Sequence, residues 1–509
     1  MSTEDRNLNC RLLPWMSGRS TTPPRAGQDR RRPWSLVLLL VLVALVPAAC
    51  SDDPTEPIPP DPEPANVDAL SAPDAAVAGT SVELGIVVTD DGGAAVGGVE
   101  TEWDIVAGGG ELSETVVSTD PSGIAEVTWT VGPEAGNGHV RASVPGVGSI
   151  DFSLTIEPMG FQQVSASFSH TCALRMDGRA FCWGRNTHSK VGDGTDDDFR
   201  LAPAAVVGGH QFADITTGGR HTCAVTVDGE AYCWGSAAQG QLGNGSDEDS
   251  NVPVAVAGGH SFQSVTAGSF HSCGITTDGD AYCWGHNTSG QLGIGNTNSR
   301  DEPAPVTGGL TFASLDAGGN HVCGVTTGGD SYCWGNGGNG QLGDGEAEST
   351  TEPVQVAGGL DFDHINTNQH FSCGVTTGGD AYCWGRGGAG ELGTDSASDQ
   401  HEPARVVGGL SWTQVDAGPD RTCGLTTNGA AYCWGASFLG DGTDNVSAEP
   451  VPVSGGLTFN QVSRGTHACG VTVDDEVWCW GRGTRGRLGT GATDDHLEPV
   501  PIAEPGSDG

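Results

Sequence analysis

The 509-residue sequence has little positive charge, with 22 Lys and Arg against 64 Asp and Glu and a formal net charge of −42. Seven of the arginines precede Cys50, where only Glu4, Asp5 and Asp29 oppose them, so the remainder is more acidic still. A surface of that sign repels phosphate backbones, which excludes nucleic acid as a partner. No long amphipathic helical pattern occurs beyond the N-terminus, which leaves β structure as the main content. Close Cys-x-x-Cys knuckles are missing, which argues against zinc. A nucleophile elbow, a phosphate-binding loop and a His-Glu metal motif are missing too, so no catalytic and no metal-ligating residue is assigned.

Glycine is abundant at 82 residues, which suits many tight turns. One stretch sets the pattern: Cys273-Gly-Ile-Thr-Thr-Asp-Gly-Asp-Ala-Tyr-Cys283-Trp284-Gly285. Two runs able to form strands flank Thr277-Asp278-Gly279, a three-residue turn whose glycine can close the loop at positive φ. Counting outward from Thr276 opposite Asp280 sets Cys273 facing Cys283, within disulfide reach. The same spacing recurs in six further pairs: Cys172 with Cys182, Cys223 with Cys233, Cys323 with Cys333, Cys373 with Cys383, Cys423 with Cys433 and Cys469 with Cys479. Trp-Gly follows the second cysteine of every pair. Seven disulfides imply an oxidising compartment. A period near fifty residues built from strands and turns predicts a β-propeller, because no single repeat can bury its own apolar face.

Ahead of the repeats the chain divides into three parts. Residues 1–49 read as an export signal: Arg30-Arg31-Arg32, then an apolar run from Leu36 to Val46 that is too short to span a bilayer. With Pro47-Ala48-Ala49-Cys50 the stretch resembles a bacterial lipoprotein signal, which implies lipidation of Cys50 and an outer-membrane or cell-surface location. Pro47 stands where such signals usually carry an aliphatic residue, and cleavage nearby to give a soluble secreted chain is the alternative. Residues 50–64, acidic and proline-rich, read as an extended stalk. Residues 65–158 alternate with period two: Val82, Leu84, Ile86 and Val88 share one face, as do Val99, Thr101, Trp103 and Ile105. Ala125, Val127, Trp129 and Val131 repeat this, followed by Val140, Ala142 and Val144, then Phe152, Leu154 and Ile156. That is a β-sandwich pattern. With Gly108-Gly109-Gly110-Glu111-Leu112 and Thr119-Asp120-Pro121-Ser122-Gly123, it resembles the bacterial immunoglobulin-like domains of invasin-type surface proteins, which implies a spacer.

Residues 159–503 carry the repeats, and 504–509 are a tail. A full repeat has Gly258-Gly259, Phe262, Ala267-Gly268, His271-Ser272-Cys273, the hairpin, Trp-Gly and Gly290-Gln291-Leu292-Gly293. The pattern is similar to the regulator of chromosome condensation family, which implies a seven-bladed propeller. The same superfamily includes a secreted bacterial β-lactamase inhibitor protein. The fold expected is therefore all-β, a seven-bladed β-propeller preceded by an immunoglobulin-like sandwich. Val500-Pro501-Ile502 is the natural closing strand, beside the one near Val164.

His170, His221, His271, His321 and His467 all stand two residues before a cysteine, which invites a metal reading. Packed sheets lie about 10 Å apart whereas zinc holds its ligands at about 2 Å, so hydrogen bonding is the role expected of them. Gln241 in Gly240-Gln241-Leu242-Gly243 belongs to a turn, with contact to a partner as its other reading. The loops after Leu-Gly vary, as in DGTDDDF from Asp193, NGSDEDSN from Asn244, DGEAESTTE from Asp344 and TDSASDQHE from Thr394. Variable loops on a repeated scaffold are where binding specificity usually lies.

The function expected is that of an exported, surface-anchored, monomeric and non-enzymatic scaffold. It binds another protein or surface macromolecule and touches the membrane only through its lipid. No cofactor is expected, calcium at the acidic loops being the alternative. Two other readings stay open: an extracellular hydrolase or lyase with a site over the channel, and an inhibitor of a secreted enzyme. Intact-mass analysis of the exported chain should find a product beginning at a diacylglyceryl-modified Cys50, and C50S should move it into the soluble fraction. An unmodified terminus elsewhere, with fractionation unchanged by C50S, would remove the anchor.

Overall fold

The computed structural model describes residues 62–132, 135–157 and 159–505. The expected signal, Cys50 and most of the expected stalk lie outside the described residues, as does the end of the tail. Among the described residues the structure is built from strands, with a single 3-10 turn at Thr484–Gly486.

The first nine strands make two sheets. Strands β1 (Asn66–Ser71), β3 (Ser81–Thr89), β7 (Ile124–Val131) and β5 (Gly110–Leu112) form one, in that order. Strands β2 (Ala75–Val77), β9 (Gly148–Glu157), β8 (Gly136–Val144), β4 (Glu100–Ala107) and β6 (Val116–Ser118) form the other. The alternation explains the packing: Leu84, Ile86, Val88, Trp129, Val140, Ala142, Phe152 and Ile156 bury their side chains in one shared core. Trp103 stacks on Phe152 at 5.9 Å between ring centroids, and its indole N–H donates to Thr101 Oγ1 at 2.9 Å.

From Phe161 to Pro501 the chain forms seven four-stranded antiparallel sheets, each continuous in sequence. The third comprises Phe262–Ala267, His271–Thr276, Ala281–Gly285 and Arg300–Pro305. Its hairpin has the register counted from sequence: Cys273 faces Cys283, the Thr276 N–H donates to the Asp280 carbonyl at 2.9 Å, and Gly279 closes the turn at φ +87°. The other six hairpins share that register. Cys172 faces Cys182, Cys223 faces Cys233, and Cys323 faces Cys333. Likewise Cys373 faces Cys383, Cys423 faces Cys433, and Cys469 faces Cys479. All seven pairs are joined as disulfides, and every one of these cysteines is fully buried.

Each sheet packs its second and third strands against the aromatic residues of the next. Cys223, Val225, Cys233 and Leu242 of the second sheet form one core with Phe262, Val265 and Trp284 of the third. Cys469, Val471, Cys479 and Leu488 of the seventh meet Phe161, Val164 and Trp183 of the first, which closes the circle. The Leu-Gly glycine follows from this contact. Gly293 has φ +68°, and a Cβ on it would lie 2.7 Å from Trp334 Nε1 of the next sheet. Gly489 stands the same way against Trp183, across the closure.

The expected closing strand needs correction. His496–Pro501 is the outer strand of the seventh sheet, where Val500 pairs with Cys479, and it does not lie beside Val164. Val164 sits on the inner strand of the first sheet, paired with Ala173. No strand is exchanged, so the last sheet joins the first through side chains and a few isolated backbone bonds, as from the Phe161 N–H to the Asp475 carbonyl at 2.8 Å.

Gly293→Ala should destabilise the chain by roughly 2–4 kcal/mol, combining positive-φ strain with overpacking against Trp334. Gly388→Ala, where an added Cβ meets nothing and φ is not positive, should be near neutral. Denaturant melts of the two variants check this, and equal stabilities would refute the packing argument.

Candidate binding face and central cavity

The seven inner strands expose their free edges to a central cavity of about 490 Å³. An unpaired strand edge leaves backbone N–H groups without acceptors. Here the polar residue four places after each inner-strand aromatic supplies one acceptor, and Gln163, Asp214, Gln414 and Gln461, two places after theirs, supply another, always to the following sheet. Gln163 Oε1 accepts from the Ile215 N–H at 3.1 Å, and Ser165 Oγ from Thr217 at 2.9 Å. Asp214 accepts from Val265, Thr266 from Ala317, Asp316 from Thr367, Asn366 from Ala417, and Gln414 from Val462. Gln461 Oε1 and Ser463 Oγ of the seventh sheet accept from Val164 and Ala166 of the first, at 2.7 and 3.0 Å. Burial pushes the carboxyls of Asp214, Asp316 and Asp416 above the usual range, well above it for Asp416. Sequence reasoning missed this circle. Its signal was a polar residue at aromatic+2 and aromatic+4 in every repeat.

A second circle runs through the histidines. His221 Nε2 lies 2.7 Å from Ser272 Oγ of the next sheet, and that hydroxyl donates to the Gln241 carbonyl at 3.0 Å. The hydroxyl's proton is thereby used, so the imidazole N–H must donate, which fixes the neutral Nε2–H tautomer. His170 meets Thr222 at 2.8 Å, His321 meets Ser372 at 2.9 Å, and His467 meets Thr171 across the closure at 2.5 Å. His271 faces Val322 instead and has no partner on either ring nitrogen. The same carbonyls accept the tryptophan N–H groups, as Trp284 to Gln241 and Trp183 to Arg487. Burial drives His221, His271 and His321 down to a pKa of about 3. Gln241 is itself fully buried, and its Oε1 accepts from the Gln239 N–H, so it does not face a partner.

Strand alternation sends the connections after the first and third strands out of the same end of each sheet. The variable loops belong to this face. Their leading residues cap turns: Asp193 Oδ1 accepts from Thr195, Asn244 Oδ1 from Ser246, and Asp344 Oδ1 from Glu346. Among the described residues no three His, Cys, Asp or Glu side chains converge as a metal set. Arginines scattered through the first, second and seventh repeats come together on this face. Arg185, Arg220, Arg485 and Arg487 surround Lys190, the single lysine of the chain. Lys190 is buried, donates to Ser169 Oγ at 2.7 Å, and is drawn down to a pKa of about 7 by burial first and by those arginines second. Arg220 lies over the Phe270 ring at 4.9 Å. An acidic sequence thus presents a basic rim beside its acidic loops, which only the fold reveals.

Sheets packed in a closed circle around a cavity, inner edges turned inward, define a β-propeller. The model of the RCC1-like domain matches residues 127–410, and RCC1-repeat models match 412–440 and 474–508, so the chain belongs to the RCC1-like domain family. The first match begins within β7, ahead of the sheets themselves, which start at Phe161. The ultraviolet-B receptor UVR8 of Arabidopsis thaliana is 31% identical over 145 residues, 28% of this chain and 32% of the receptor. The probable E3 ubiquitin-protein ligase HERC6 of Homo sapiens is 33% identical over 91 residues, 18% of this chain and 9% of the ligase. The matched stretch is thus a small part of these relatives. Among solved structures, human WBSCR16 aligns with a TM-score of 0.60 at 21% identity, over 64% of this chain and 94% of that one. Yeast RCC1 (Prp20), solved bound to Kap60, aligns at 0.55 and 20% identity, over 62% and 81%. The domain is an RCC1-like β-propeller, a fold suited to protein–protein interaction.

The buried histidine circle sets a pH dependence. Below pH 6.5 the unfolded chain protonates His321 while the folded chain resists down to a pKa of about 3, so stability is lost as pH falls through that window. His321→Phe, the aromatic found naturally at Phe371, should be less stable at pH 7 because Ser372 loses its donor. The deficit should shrink by about 1.4 kcal/mol per pH unit between pH 6 and 4. Denaturant melts at each pH check this, and a constant gap would mean that His321 titrates normally.

Proposed function

We propose that the chain is an exported, non-enzymatic binding protein, in which a disulfide-stapled seven-bladed propeller presents its loop face to another protein. The observation that carries this reading is the contrast within each repeat. Hydrogen-bonded circles and buried disulfides immobilise the strands, whereas the loops after Leu-Gly differ in sequence from blade to blade and share one face. A rigid scaffold with unequal loops lowers the ordering cost of recognition. In this reading the sandwich is an immunoglobulin-like spacer, and the signal and Cys50 hold it at the cell envelope as a monomer. The partner is a protein and not a nucleic acid, because the charge of −42 opposes phosphate.

A converging set of acidic and basic side chains in a deep pocket would favour the hydrolase or lyase reading. The cavity carboxyls of Asp214 and Asp316 are instead occupied by amide, backbone and hydroxyl donors of the adjoining sheets. That supports binding over catalysis.

Cross-linking on intact cells of the source organism tests the proposal. Replacing loop 244–250 with the sequence of 344–350 should abolish the partner cross-link formed by the unaltered chain. Replacing the Thr277-Asp278-Gly279 turn on the opposite face by Thr327-Gly328-Gly329 should leave it intact. Running both with and without calcium reads any dependence on that ion. A cross-link insensitive to the loop exchange would refute the assigned face.

A further inference from the structure

One junction lacks the tryptophan-to-carbonyl bond that the other six make. The sixth and seventh cysteine pairs begin at Cys423 and Cys469, four residues closer than the usual fifty. Arg421 stands in the histidine position, and Ala468 replaces the hydroxyl residue that would receive it. Trp480, fully buried, has no acceptor for its indole N–H, whereas Trp434 at the preceding junction donates to the Glu391 carbonyl at 3.0 Å.

Arginine fills the vacated space. Arg464 ends the inner strand of the seventh sheet, where the other sheets have Ala166, Thr217, Ala267, Ala317, Thr367 and Ala417. It is 3% exposed and lines the central cavity. Its Nη2 donates to the Phe438 carbonyl at 3.4 Å, while Nε and Nη1 have no acceptor. Arg421 is equally buried; its Nε donates to Asp420 Oδ1 at 2.9 Å, and its Nη1 has no acceptor. The Arg464 side chain packs against Gly418, where an added Cβ would lie 2.7 Å from Arg464 Cγ, and the Gly418 N–H donates to the backbone carbonyl of Arg421 at 2.7 Å.

The nearby carboxylates do not neutralise this pair. Asp420 serves Arg421, and Asp416 accepts from the Arg464 backbone N–H at 3.1 Å rather than from its guanidinium. A buried guanidinium without a carboxylate partner is costly, and its planar donor fork matches an oxyanion.

We propose that the junction of the sixth and seventh sheets binds a small oxyanion, a carboxylate or an inorganic tetrahedral anion, held by Arg464 and Arg421 and entering through the central cavity. Calorimetric melts and isothermal titration of the full chain, at constant ionic strength, test it with sodium acetate, sodium sulfate and sodium chloride. Acetate or sulfate should raise the melting temperature saturably and bind at one site per chain, and whichever does so identifies the anion class. R464A introduces the residue found at four of the equivalent positions and should fold with both effects lost. R421H introduces the residue of the regular junctions and should weaken binding at least tenfold. No saturable binding, saturation by chloride alone, or identical titrations of the unaltered chain and R464A would overturn the site. If R464A fails to fold, the R421H titration decides.

Discussion

The closure of the circle without a shared strand is the constraint on which the propeller depends. Rings that borrow a strand from the other end of the chain lock first and last blades with backbone hydrogen bonds. Here every sheet is complete in its own sequence, so closure rests on side chains, packing and isolated backbone bonds rather than on a shared ladder. The solution is to give the last junction the same links as the regular junctions within the chain. Gln461 to Val164, His467 to Thr171, and the Arg487 carbonyl to Trp183 repeat across the closure what Gln163, His170 and Lys190 do within the chain. A third, outer link spans the closure with the opposite polarity, the Gly491 N–H of the seventh loop donating to the Leu201 carbonyl of the first sheet.

Those links are directional, and that accounts for the repeat better than any one residue does. At two levels each sheet offers acceptors forward, inner-strand side chains at the cavity and the carbonyl before Leu midway out, while the imidazole N–H and the outer glycine N–H donate forward. The following sheet answers with backbone, hydroxyl and indole donors. The tryptophan must therefore reach back over the preceding Leu-Gly, which leaves no room for a side chain there. The disulfide lies beneath this contact, in the core between sheets. It cross-links a short hairpin loop, whose closure in the chain-entropy model is worth roughly 2–3 kcal/mol.

Much of the scaffold was legible because it is periodic. Facing cysteines, the Gly279 turn and the alternating faces of Leu84, Trp129 and Val140 follow from strand period and loop length alone. Closure was misread because Val500 and Val164 were judged as apolar strand residues, whereas the bonds that close the ring come from Gln461 and Ser463. The turn at Gln241 was read correctly, but not its burial, which rests on the neighbouring sheet. A polar residue in a turn reads as exposed until the neighbouring sheet is in place to bury it. The basic rim was hidden because Arg185, Arg220 and Arg487 are far apart in the chain, and the acidic loops dominate every local window.

Regularity also gives meaning to the exceptions. Val322 opposite His271 removes one link and leaves a neutral buried imidazole without a partner, a defect of modest cost because nothing charged is stranded. The sixth junction is different in kind. There the histidine, its hydroxyl partner and four loop residues are all absent, yet the replacement is two buried guanidiniums rather than apolar filling. Hydrophobic substitution would have closed that gap at lower electrostatic cost. Cationic donors kept against that cost, at the edge of a cavity whose acids are already engaged with backbone, are what an anion-binding junction requires.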